Sequence, residues 1–128
     1  MKLLLDTQLI LWAAKGSSQL SSTARTVISD PSNELLFSPI SIWEITIKNA
    51  LQRPDFKANA RLIRRGMLDN GYNEIPMTSE HALCVDTLPS VHKDPFDRIL
   101  IAQAKAEGIL LLTADTMLEQ YGEPVRLV

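Results

Sequence analysis

The chain has 128 residues, 45% of them hydrophobic and 22% charged, and a formal net charge of −2. That is enough for one domain with its own core, spanning residues 1–128, and too little for two. Low glycine and proline content, no biased tract and no internal period exclude repeat arrays, linkers and disordered tails.

The opening segment, MKLLLDTQLILWAAKG, imitates a signal peptide, but Asp6 and Gln8 interrupt the apolar run before it reaches a useful length. It reads instead as a strand, Lys2 to Leu5, followed by a helix that begins near Thr7 and that Asp6 can cap. No apolar stretch approaches the roughly 20 residues that span a bilayer, so no membrane anchor is expected. A second apolar run, Glu34 to Phe37, leads into Ser38-Pro39, an N-cap followed by proline at the first helical position. On that helix Glu44 shares a face with Ile40, Ile47 and Leu51. A carboxylate on an apolar stripe needs a partner, because burying it unpaired costs several kcal/mol. A Glu44 to Lys48 pair has the favourable helical orientation, yet at about 0.3 to 0.5 kcal/mol it does not account for the position, and a functional role is expected.

From Lys48 to Arg65 the charges are one-sided: Lys48, Arg53, Lys57, Arg61, Arg64 and Arg65 stand against Asp55 alone. Lys57, Arg61 and Arg64 fall at helical spacing, so that this face is either solvated or a track for a polyanion or an acidic peptide. Asn73 to Ile75 is a third short strand, and Thr78 or Ser79 can cap a helix running through Asp86. Asp94-Pro95 repeats the device of Ser38-Pro39, and Gly108 ends the helix so begun. Asp97 lies in that helix's first turn, where the dipole favours an acid. Ile109 to Leu112 and Val125 to Leu127 complete the strands, all near the usual length of about five residues. Between them Asp115 follows the fourth strand and can cap a helix over Thr116 to Gln120.

Strands that are apolar on both faces and alternate with helices indicate an α/β fold whose parallel sheet is covered on both sides. Ligands of such sheets bind outside the carboxyl ends of the strands, and Asp6, Glu44, Asp97 and Asp115 all lie toward that edge. Each could be a cap or a paired surface acid on its own. Together they point to one site, because clustered carboxylates raise each other's pKa unless a cation neutralises them. Oxygen ligands select a hard cation, Mg2+ or Mn2+, and such an ion beside phosphate oxygens is the arrangement for phosphodiester cleavage. His81 and His92 are expected to be structural or solvated, since no second histidine or cysteine completes a soft-metal set. Trp12 and Trp43 are expected in the core or in a dimer interface. The single Cys84 forms no internal disulfide and fits a reducing cytosol, so a cytoplasmic location is expected.

Four segments carry a resemblance: Asp6-Thr7, the run SPISIWEI from Ser38 to Ile45, the run HKDPFDRILIAQA from His92 to Ala104, and LTAD from Leu112 to Asp115. In this order they resemble the successive motifs of PIN-domain ribonucleases, and most closely the VapC-like toxins of type II toxin-antitoxin systems. The resemblance implies a three-layer α/β/α sandwich with a parallel five-stranded sheet, Mg2+-dependent endonuclease cleavage of RNA, a homodimer and a cognate VapB-like antitoxin. It further implies that Asp6 and Asp97 are the principal metal ligands, that Glu44 and Asp115 complete the acidic site, and that Thr7 and Thr113 are hydroxyl neighbours. Asp94 then remains a helix cap. Many relatives carry another acid two positions after the Asp115 equivalent, where this chain has Met117. Two other classes fit part of the pattern: a phosphoacceptor receiver domain, and a PIN-fold module that binds RNA or protein without cutting. The receiver pattern has paired acids after the first strand and a late lysine after the fifth; here Asp6 is single and no lysine follows Lys105.

Overall fold

In the computed structural model, which describes residues 1–51 and 57–128, Lys2–Leu5 form β1, with Leu3, Leu4 and Leu5 completely buried. Successive side chains of a strand point to opposite faces, so a strand buried on both must lie inside a covered sheet. Leu4 joins a cluster with Leu36, Leu100, Ile101 and Leu111, whereas Leu3 and Leu5 join Leu9, Ile10, Phe37, Met67 and Leu112. The sheet therefore divides two cores, as the expected three-layer α/β/α sandwich requires.

The elements follow in order as α1 (Thr7–Lys15), α2 (Ser22–Ser29), β2 (Glu34–Phe37), α3 (Pro39–Ala50), α4 (Ala60–Asp69), β3 (Asn73–Glu74), α5 (Ser79–Cys84), α6 (Pro95–Glu107), β4 (Leu110–Thr113) and β5 (Val125–Leu127). All strand pairings are parallel and the sheet order is β3-β2-β1-β4-β5. The chain winds outward from β1 through β2 to β3, then returns to the other side of β1 for β4 and β5. Winding direction reverses between β1 and β4, which opens a crevice at their carboxyl ends. A receiver domain orders its strands 2-1-3-4-5, so the sheet order separates this chain from that class.

Local signals start and stop the helices as expected in several places. The Ser38 hydroxyl accepts from the Ile40 amide with Pro39 behind it, Asp94 accepts from the Phe96 and Asp97 amides, and Gly108 closes α6 in the left-handed region at φ +67°. Elsewhere the structure corrects the expectation. Asn59 caps α4, so that Lys57 precedes the helix and does not continue a face with Arg61 and Arg64. Arg53 and Asp55 lie outside the described residues. α5 stops at Cys84 and continues as a 3-10 turn over Val85–Thr87 rather than as one helix to Asp86. No helix spans Thr116 to Gln120, where a 3-10 turn covers Leu118–Tyr121 instead. The Asp115 carboxylate accepts from the Met117 amide two residues on, a local turn that competes with a regular helix start.

The stripe on α3 also ends early: Ile40 and Glu44 are buried, but Leu51 is exposed. Trp43 is 57% exposed and so is not a core residue, while Trp12 is half-buried against the Leu3–Leu5 core. His81 is a structural residue, as expected. Its Nδ1 accepts from the Thr78 amide in a capping box, and its Nε2 lies 2.9 Å from Glu107. Among the described residues no helix is long and apolar enough to cross a membrane.

Candidate active site

Asp6 is where β1 ends, and its backbone amide still donates to the Leu112 carbonyl of β4. That bond brings the ends of β1 and β4 together. One Asp6 carboxylate oxygen accepts from the Leu9 amide at 2.9 Å, which makes Asp6 the cap of α1; the other accepts from the Thr113 hydroxyl at 2.5 Å. Thr113 Oγ1 in turn accepts from the Asp115 amide at 3.0 Å, so a single buried hydroxyl ties Asp6 to the Asp115 loop. Asp6 is a cap and a pocket residue at once.

Glu44 reaches the same place from α3. Thr7 Oγ1 lies 2.9 Å from Ser41 Oγ and 2.7 Å from Glu44 Oε1. A carboxylate only accepts, so the threonine proton goes to Glu44 and the serine hydroxyl supplies the other bond. Lys48 Nζ sits 2.6 Å from Glu44 Oε2. The helical pair too weak by itself to account for Glu44 is thus present, and it works jointly with the Thr7 bond. Buried on the apolar stripe, Glu44 has both oxygens partnered.

Asp97 comes from the first turn of α6, half-buried, with Oδ2 3.3 Å from His92 Nε2. His92 is therefore more than a solvated neighbour of Asp94, a contact that sequence spacing does not announce. Asp94 and the exposed Asp115 complete the set. A pocket of about 410 Å³ is lined by Asp6, Thr7, Glu44, Lys48, Asp94, Asp97 and Asp115, together with Trp12 and Ala114. All four expected acids, with Asp94 added, meet around one opening at the carboxyl edge of the sheet.

Five carboxylates against one ammonium make ionisation costly. Burial pushes the Asp6 carboxyl up to about 6, helped by the charges of Glu44 and Asp115 and opposed by the bonds from Thr113 and the Leu9 amide. Burial also comes first for Asp97, raised to about 6 with the charges of Asp94, Glu44 and Asp6 behind it, while the His92 bond acts the other way. The two most perturbed acids are thus the two expected metal ligands. Among the described residues no three acidic, histidine or cysteine side chains converge closely enough to enclose an ion by themselves. The side chains that could act as ligands around the pocket are carboxylates, and such oxygen donors fit a hard divalent cation.

These shifts set a pH dependence. An acid whose folded pKa lies above its unfolded value favours folding while it stays protonated, so its contribution fades as pH rises from about 4 to about 6. For Asp6 the shift corresponds to at most about 3 kcal/mol. In metal-free protein, urea unfolding at pH 4, 5, 6 and 7 should show the wild type losing stability relative to Asp6→Asn across that window. A constant difference between the two would contradict the burial of this charge.

The PIN domain family matches residues 3–124, nearly the whole chain. The chain belongs to the PIN-domain family. No curated protein matches it. Among solved structures, this PIN domain is similar to a chain of VapBC2 from Rickettsia felis bound to a DNA fragment from its promoter, at 12% identity and a TM-score of 0.70, covering 100% of this chain and 98% of that one. It is similar to a chain of VapBC-1 from nontypeable Haemophilus influenzae, at 20% identity and a TM-score of 0.66 over 100% and 97% of the two chains. A chain of VapBC-5 from Mycobacterium tuberculosis, a member of the VapBC family of toxin-antitoxin systems, matches at 14% identity and a TM-score of 0.62, covering 99% of this chain and 97% of that one. At such identities the likeness concerns the fold, which is that of VapC-like PIN domains. PIN domains of this kind are nucleases, hydrolases that act on nucleic acid.

Proposed function

We propose that the chain is a divalent-metal-dependent endoribonuclease and the toxin of a toxin-antitoxin pair, inhibited by a VapB-like antitoxin. The observation that carries this reading is the meeting of carboxylates from four separate stretches in one pocket, where burial and mutual repulsion hold Asp6 and Asp97 near pKa 6. Asp6 and Asp97 are the metal ligands in this reading, with Glu44 and Asp115 completing the acidic site and Mg2+ the ion, replaceable by Mn2+. A bound Mg2+ supplies a water of lowered pKa and neutralises charge on a phosphodiester.

The chain's own residues do the rest. The Thr113 hydroxyl and the Leu9 amide hold Asp6 in one orientation, and Thr7 and Lys48 do the same for Glu44. A carboxylate locked in this way loses little further freedom when it takes a ligand. Lys48 is the one cation lining the pocket among the described residues, and its half-exposed ammonium can meet a phosphate oxygen at the rim. Likeness to VapBC chains supports the antitoxin partner, and exposed Trp43, packed edge-on against Phe96, supports a further protein contact such as the expected homodimer. We further propose a single domain, residues 1–128, acting in the cytoplasm.

Purified protein should degrade RNA with Mg2+ and stop when the metal is chelated, and single-stranded DNA of the same sequence should survive. RNA left intact under those conditions would remove the nuclease reading. The basic residues of α4 make a second, finer test. Arg64 is tied to Glu74 at 3.0 Å and Arg65 approaches Asp69 at 3.9 Å, while Arg61 is exposed with no ion pair among the described residues. If α4 contacts the RNA backbone, Arg61→Ala should flatten the salt dependence of binding by about 0.7 in the slope of log affinity against log salt. Arg64→Ala should have the smaller effect. An unchanged slope for Arg61→Ala would leave this face as solvated surface.

A further inference from the structure

Three side chains outside the acidic set form one connected chain of hydrogen bonds that ends on Asp97. Arg98, next to Asp97 on α6, has Nη1 3.1 Å from the Tyr121 hydroxyl and 2.8 Å from the Pro89 carbonyl, with Nη2 3.4 Å from the Val85 carbonyl. The Tyr121 oxygen lies 2.7 Å from His92 Nδ1, and His92 Nε2 lies 3.3 Å from Asp97 Oδ2. The polarity of this chain is set by its two ends together, a guanidinium that only donates and a carboxylate that only accepts. A guanidinium can only donate, so the tyrosine oxygen accepts from Arg98 and its own proton is free to be given. A neutral ring bonded at both nitrogens then accepts the tyrosine proton at Nδ1 and carries its hydrogen on Nε2, directed at the carboxylate. The other tautomer would aim a bare nitrogen lone pair at Asp97 and leave the tyrosine proton without this acceptor. Tyr121 is buried and packs edge-on against the imidazole at 5.4 Å between centroids, so the ring is held by shape as well as by polarity.

We infer that His92 is a positioning residue for Asp97, locked by Tyr121 and Arg98 so that it fixes one carboxylate oxygen and leaves the other to face the pocket. This rests on the reading of Asp97 as a metal ligand. Histidine here plays toward a carboxylate ligand the orienting part that carboxylates commonly play toward histidine ligands. The DPFDR stretch then has three jobs within five residues: Asp94 caps the helix, Asp97 faces the pocket, and Arg98 anchors the far end of the relay that holds it.

The test needs readouts other than activity. Nitrogen chemical shifts of the His92 ring in metal-free protein should show the hydrogen on Nε2; a hydrogen on Nδ1 overturns the relay. Mn2+ titration by calorimetry should show His92→Ala weakened by about 10 to 100-fold, with kcat falling in parallel and KM for RNA unchanged. His92→Gln, whose amide can still donate near the Nε2 position, should recover most of the Mn2+ affinity, and Tyr121→Phe should fall between the two. Wild-type affinity in folded His92→Ala overturns the positioning role alone. Equal losses in the Ala and Gln variants accompanied by a lowered Tm also overturn it, since they mark a packing role. Wild-type protein that binds no Mn2+ and cuts no RNA overturns the metal-nuclease reading and this inference with it.

Discussion

Asp97→Asn is expected to lower RNA cleavage by more than about 100-fold, beyond the 10 to 100-fold typical of residues that only support a metal ligand. Asparagine keeps the volume and one oxygen, so the His92 contact can persist, but the negative charge that attracts a cation is gone. The same change should leave the metal-free protein as stable as the wild type at pH 7, or more so. Burial and the charges of Asp94, Glu44 and Asp6 raise the Asp97 carboxyl to about 6, so that ionised Asp97 is a strained group at neutral pH and neutral asparagine is not. By the sign of that shift the variant's advantage should open as pH rises from about 4 to about 6 and stay level above. Single-turnover cleavage and urea unfolding of the same preparations separate the two effects. An active Asp97→Asn enzyme would end the assignment of this residue.

Phe37→Ala should cost the fold about 3 to 5 kcal/mol, a larger effect on stability than any change among the pocket acids. Phe37 is completely buried among Leu3, Leu5, Leu9 and Met67, and it is the last residue of β2, its carbonyl accepting from the Ile75 amide. A cavity at this point removes a large share of a typical stability of about 5 to 15 kcal/mol. It also loosens the start of α3, because Ser38, the next residue, caps the helix that carries Glu44. Denaturant midpoints of the two proteins give the difference directly, and a loss under about 1 kcal/mol would mean that the site collapses far more completely than buried aromatic sites usually do. Cleavage per folded molecule should survive better than stability, since Asp6 and Asp97 are held through β1, β4 and α6.

The pattern of elements was largely legible in the chain. Ser38-Pro39, Asp94-Pro95 and Gly108 act on neighbours within three or four residues, so their consequences can be read without knowing the rest of the fold. Alternation of doubly apolar runs with helices implied the covered parallel sheet for the same reason. Errors fell where two local signals competed. Asn59 took the start of α4 from Lys57, and the Asp115 carboxylate turned to the Met117 amide instead of capping a full helix. For Trp43 the sequence left core and interface both open, and the structure removes the core, since the side chain faces outward from α3 against Phe96.

By itself, then, the sequence determined the α/β class, the caps at Ser38, Asp94 and Gly108, and the placing of Asp6, Glu44, Asp97 and Asp115 toward one sheet edge, largely consequences of short-range sterics and hydrogen bonding. Only the tertiary structure decided which hydroxyl meets which carboxylate. Thr113 reaches Asp6 across 107 positions, Thr7 reaches Glu44 across 37, and Tyr121 reaches His92 across 29. Those pairings depend on β1 lying between β2 and β4 and on parallel register, which bring loop ends together irrespective of their separation along the chain. The raised pKa values of Asp6 and Asp97 have largely the same origin: burial, the leading cause for both, and the charge of Glu44 are imposed by folding, and only Asp94 acts on Asp97 from nearby in sequence.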